Sequence, residues 1–256
     1  MPLGLLCLQL YERFAIISDN KGDYALESLK TIWQNLDWNF LISTLVTVVS
    51  ALTCITLHEL AHGYVAYRLG DNTAKYAGRL TLNPLRHIDI FGLAMMVVFK
   101  FGWAKPVPIN MRQFKNPRRD MAITALAGPM CNVLLTCAAL FFYGALFYPV
   151  AMNYTLVGAV VLEILASISY LSIAFAIFNL LPISPLDGSK ILYSFLPEHI
   201  YRKILRYERY GMIVLFVLLS VMRRTGVNPL GSITGAVYDF LFNIAAFASQ
   251  LVAKIM

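Results

Sequence analysis

The chain has 256 residues, of which 59% are hydrophobic and only 14% charged, with a formal net charge of +7. Soluble domains carry about 25% charged residues, so the deficit excludes an ordinary soluble enzyme and points to an integral membrane domain. The positive balance does not signal nucleic acid, because the basic residues cluster in loops between apolar runs, as membrane topology requires.

Residues 1–37 are expected to be a separate N-terminal segment, and residues 38–256 a membrane domain with its core at 38–195. The opening "MPLGLLCLQL" lacks the basic region and small-residue cleavage site of a signal peptide. Residues 38–67 form the first span, since thirty helical residues cover about 45 Å. Residues 89–103 are too short and too interrupted by Lys100 to cross, and read as re-entrant or partly inserted. Residues 120–148 and 155–182 make two further spans, and 207–222 and 230–252 are weaker helical candidates. The expected fold is an all-α multi-pass membrane protein of roughly 4–6 helices, with a re-entrant or short extended segment around 89–110. The four cysteines, Cys7, Cys54, Cys131 and Cys137, show no paired spacing and read as small buried hydrophobes.

Loop charge predicts orientation. Residues 68–88, 104–119 and 190–209 are basic, whereas "PVAMNY" at 149–154 carries no charge. The basic loops therefore belong in the cytoplasm, with 149–154 and the N-terminus outside.

Within the first span lies "LHELAHG", with His58, Glu59 and His62. Histidines four apart share a helix face about 6 Å apart, and both imidazoles can reach one zinc ion. Glu59 can reach a water without ligating, which is the mechanical content of H-E-x-x-H. The plain alternative is a histidine–glutamate hydrogen-bond pair between helices. Ionisable groups inside a membrane are costly and mark function, which favours the metal.

A catalytic zinc takes a third protein ligand. The extended pattern fails, since Val65 and Arg68 stand where a glycine and a third histidine would be, and Glu163 is the first glutamate after Glu59. Asp71, Asp89, Glu163 and Asp187 are the candidates. Asp71 and Asp89 read as turn and cap residues, and Glu163 as an outer-interface residue. Asp187 follows the helix break made by Pro182 and Pro185 and precedes Gly188, so it could turn a carboxylate inward.

"HELAHGYVAYRLGD", "GRLTLNPLRHID", "FGWAKPVPIN", "NPRRDMAITALAGPMCN" and "FNLLPISPLDGSKIL" occur in that order. Together they resemble the site-2 protease (M50) family of intramembrane zinc metalloproteases, in its compact branch without PDZ or CBS domains. The resemblance runs from about residue 50 to 195. It implies one Zn²⁺ per chain held by His58, His62 and Asp187, with Glu59 activating water. Many relatives have N-P-D-G where this chain reads Ser184-Pro185-Leu186-Asp187-Gly188, with the Asp-Gly pair kept.

Asn132 and Asn179 lie at plausible membrane depth. Either could position a substrate carbonyl or serve as an interhelical hydrogen bond. Gly128 reads as a close-packing position and Cys54 as core. Pro106 and Pro108 cannot donate ladder bonds, so "GWAKPVPIN" fits an edge strand. It could accept an unwound substrate by β-addition, or be a rigid surface turn.

The function expected is an intramembrane zinc endopeptidase of the cell membrane, with its site nearer the cytoplasmic side. Its substrates would be single-span membrane proteins or signal-peptide remnants. A catalytically silent binding protein and a metal transporter or sensor are the alternatives. A transporter would need polar residues across the bilayer, and an inactive descendant has no reason to keep Glu59.

Overall fold

The computed structural model describes residues 31, 35, 37–89, 91–92, 104–153, 155–197, 200, 210–226 and 228–255. The expectation for residues 1–37 falls almost wholly outside these, as does most of 89–103. The boundary between two compact units, Met1–Val46 and Thr47–Met256, lies at Thr47. It falls inside the first long helix, α1 (Trp38–Arg68).

Asp37 starts α1 by accepting the Phe40 N–H at 3.1 Å, as an N-cap does. The helix is apolar throughout and ends on the basic Arg68. A single helical turn at Thr73–Tyr76 and a 3₁₀ turn at Pro84–Arg86 follow. Residues 105–110 carry no helix, and Ala104 pairs antiparallel with Ile88 as an isolated bridge. Among the described residues this is the only β pairing, so the expected extended segment is present as a strap rather than a sheet.

The next helix, α2 (Pro117–Met152), places proline in its first turn and holds the Asn116 N–H on the Asp120 carboxylate at 2.9 Å. It runs past Pro149 to Met152, so the connection to α3 (Leu156–Asn179) shrinks to residues 153–155. Thr155 caps α3 through Gly158 N–H. A tight turn leads into α4 (Asp187–Ser194), followed by α5 (Gly211–Thr225) and α6 (Pro229–Ile255).

Among the described residues, α1, α2, α3 and α6 are long and apolar enough to cross a membrane, and α5 is shorter. The chain is an all-α multi-pass membrane protein. α2 is its hub and packs against α3, α4 and α6. Small residues make this possible: a Cβ on Gly144 of α2 would sit 2.0 Å from the Ala245 carbonyl oxygen of α6. Polar side chains join α2 to α3, with Ser172 Oγ donating to Asn132 O at 3.0 Å and Thr136 Oγ1 to Ser169 O at 3.1 Å. Small polar residues commonly link membrane helices in this way.

Candidate metal centre

α1 contributes His58 and His62 on one face, and their rings meet edge to face with centroids 4.6 Å apart. α4 brings Asp187 to them across 129 residues of sequence. Its arrival depends on Gly188, where a Cβ would stand 2.2 Å from the Leu180 carbonyl oxygen. The start of α4 thus lies directly on the end of α3.

The three ligand-type atoms form a nearly equilateral triangle. His58 Nε2 lies 3.1 Å from Asp187 Oδ2, His62 Nε2 lies 3.0 Å from the same oxygen, and the two nitrogens are 3.0 Å apart. All three residues are buried. A zinc ion about 2.0–2.1 Å from each atom fits over a triangle of that size.

The surrounding hydrogen bonds indicate what the triangle can hold. His62 Nδ1 donates to the Thr124 carbonyl at 2.7 Å, because a carbonyl can only accept. Neutral His62 then presents a lone pair from Nε2 toward a carboxylate oxygen. Two lone pairs 3.0 Å apart require a cation or a proton between them. A ligand histidine characteristically gives its other N–H to such a partner.

On His58, the Asn132 amide lies 3.2 Å from Nδ1. Asn132 is fully buried, and its Oδ1 has no hydrogen-bond partner. Turning the amide over sets that oxygen against His58 Nδ1–H and frees Nε2 as a second lone pair. Gly128 completes the cradle: a Cβ there would lie 2.3 Å from His62 Nε2 and 2.6 Å from His58 Cε1. The residues present therefore fit a single zinc ion.

Asp187 sits on the short helix α4, outside the four long apolar helices. Lys190 Nζ stands 3.5 Å from the other carboxylate oxygen.

The remaining candidates are occupied elsewhere. Asp71 is fully buried and accepts from Thr73 and from the Asn110 N–H. Asp89 accepts the Gly92 N–H, and Glu163 is exposed on α3. Asn132 reaches the site through His58, whereas Asn179 donates to Phe175 O of its own helix, and none of its hydrogen bonds reaches the triangle. Glu59 turns to the strap, where its Oε2 accepts the Val107 N–H at 2.9 Å. Cys54 is buried with Sγ 3.6 Å from Ile168 O, a core position. Sequence reasoning missed Thr124 and Val107, which act through backbone groups that every residue type except proline shares in full.

The chain is similar to "Putative zinc metalloprotease YwhC" of Bacillus subtilis, at 41% identity over 186 residues, covering 72% of this chain and 81% of that one. The model of peptidase family M50 matches residues 148–222, which include Asp187. The chain belongs to peptidase family M50. The chain is also similar to "Putative zinc metalloprotease Rip2" of Mycobacterium tuberculosis, 28% identical over 214 residues, or 81% of this chain and 77% of that protein. The Mycolicibacterium smegmatis protein of the same name is 28% identical over 179 residues, or 68% and 66%. No solved structure matches significantly. Membership of M50 makes this a metalloprotease, and the buried His58, His62 and Asp187 cluster is where such a protein could bind its zinc.

Proposed function

We propose that this M50 protein is an intramembrane zinc endopeptidase that cuts peptide bonds within transmembrane segments, with His58, His62 and Asp187 as ligands and Glu59 as base. The observation that carries the reading is the buried triangle formed by residues of α1 and α4, two elements of a multi-pass helical protein. His58 lies ten residues before Arg68 on α1, about 15 Å along the axis. That depth supports chemistry inside the bilayer near the basic end of the helix, the end that loop charge assigns to the cytoplasm of a cell-membrane protein.

Bound zinc would supply Lewis-acid polarisation of the scissile carbonyl and of the attacking water. Glu59 takes one proton from that water as its oxygen bonds to the carbonyl carbon. The same carboxyl then gives the proton to the departing amide nitrogen as the C–N bond breaks. One carboxylate and one amine leave. The strap at 104–110 lies beside Glu59 and could hold an unwound substrate by backbone pairing. Single-span membrane proteins and signal-peptide remnants are the proposed substrates.

The test pairs two measurements on one detergent preparation: zinc per chain, and cleavage of a single-span peptide with a helix-destabilised transmembrane segment. Glu59→Gln should keep about one zinc per chain while cleavage falls by roughly 10²–10⁴-fold, the range typical of lost acid–base catalysis. His62→Ala should lose metal and cleavage together. Near-wild-type cleavage by zinc-replete Glu59→Gln would defeat the mechanism. A wild-type protein that binds zinc but cleaves nothing would favour the transporter or silent-binding reading.

A further inference from the structure

The strap is tied down far more firmly than a surface turn requires. The Lys105 N–H donates to His87 O at 2.9 Å. The buried Arg79 guanidinium donates to the carbonyls of Lys105, at 2.6 Å, and Pro106, at 3.3 Å. Three residues past Val107, the Asn110 N–H is held by the buried Asp71 carboxylate at 2.6 Å. Burying a charge is costly unless its hydrogen bonds are met. Here one buried cation and one buried anion, both from the α1–strap connection, spend hydrogen bonds on the strap's backbone.

Between these anchors the sequence is Pro106-Val107-Pro108. Proline has no N–H and a fixed φ, so this tripeptide is stiff and has one backbone donor, that of Val107. Its partner is Glu59 Oε2, at 2.9 Å. Val107 is buried between two exposed prolines, and its Cγ1 would lie 3.2 Å from a Cβ on Gly63, one turn beyond Glu59 on α1. A glutamate side chain has several rotatable bonds and no fixed position of its own. A misplacement of about 1 Å can cost on the order of 10²-fold in rate.

We infer that Pro106-Val107-Pro108 is a positioning device for Glu59, in which the Val107 N–H fixes Oε2 and Arg79 clamps the donor in place. The inference rests on the protease reading, with Glu59 as base. Tying one carboxylate oxygen leaves the other to exchange the proton with water and the leaving amine. The Val107 N–H is spent on Glu59 and is not free to pair with substrate, and neither Val107 nor Arg79 is among the proposed metal ligands, so their loss should change turnover more than substrate affinity or zinc content.

The experiment uses the full chain, zinc-loaded, with the same single-span peptide, and reads kcat, KM and zinc per chain. Val107→Pro removes the N–H in a segment that already carries proline on both sides. It should lower kcat by about 10–100-fold, with KM within about threefold and zinc near one per chain. Val107→Ala keeps the N–H and should lose several times less. If Val107→Pro is purified without zinc, Arg79→Gln carries the test: kcat should fall and Arg79→Lys should restore most of it. Wild-type kcat in zinc-replete Val107→Pro, equal losses in Val107→Ala and Val107→Pro, or no change in Arg79→Gln would overturn the inference. So would a rise in kcat, which would make the strap an obstruction. These outcomes require that wild type cleaves and Glu59→Gln does not. If wild type cleaves nothing, the protease reading itself has failed.

Discussion

A hydrogen atom rather than a methyl group at position 128 keeps α2 from colliding with both imidazoles, since a Cβ would lie within 2.6 Å of each ring. Forcing extra carbon into a packed site costs about 1–3 kcal/mol, or roughly 5–150-fold in an equilibrium constant. Gly128→Ala is therefore expected to weaken zinc binding by that factor, measured by competition with a chelator, while the helix content stays unchanged. Asn132→Ala removes the partner of His58 Nδ1 and should cost 10–100-fold in zinc affinity, the usual effect of deleting such a support. An effect of Asn132→Ala on KM alone, with zinc affinity intact, would return Asn132 to the substrate-contact role. At this scale the spacing of His58 and His62 already dictates a shared face. The partners that orient them were less legible: Asn132 could only be balanced between two roles, and the Thr124 carbonyl carries no residue-type signal.

Elements end where backbone chemistry lets them. The second span was expected to end at residue 148, just before Pro149. α2 nevertheless continues to Met152, as prolines are tolerated in membrane helices whose neighbours satisfy the freed groups. Residues 230–252 read as a weaker candidate, yet the 27 residues of α6 suffice to span. The break after α3 was legible from Pro182 and Pro185. What the sequence could not supply was the contact that aims Asp187, because it is a backbone-to-backbone approach at Gly188. Gly188→Ala should push α4 off the end of α3. The expected result is loss of both zinc and cleavage with the helical circular dichroism retained. Retention of zinc by this variant would mean that Asp187 is not held as described.

For the whole molecule, charge decides orientation. α1 ends at Arg68 and α2 begins beside Arg118 and Arg119, while the short 153–155 connection is uncharged. A green fluorescent protein fused after residue 115 should fluoresce, and alkaline phosphatase fused after residue 153 should be active, since each works on its own side of the membrane. The reverse pattern would place the metal centre near the outer face and remove the cytoplasmic-side reading. α2 packs against every long helix for which dense contacts are seen, so interior polar substitutions there should lower the melting temperature more than equal changes on α6.

The distance along the chain between His58 and Asp187 also gives the enzyme a timetable. A ribosome adding about 5–20 residues per second leaves roughly 6–26 s in which the histidines exist without their carboxylate, the two being 129 residues apart. During that interval the nascent chain has His58, Glu59 and His62 but not Asp187, so the proposed metal site is incomplete. On the proposed assignment, proteolytic competence is thus deferred until α3 is complete and α4 has turned back toward α1. A chain ending at residue 186 should insert into membranes and yet retain no zinc through purification.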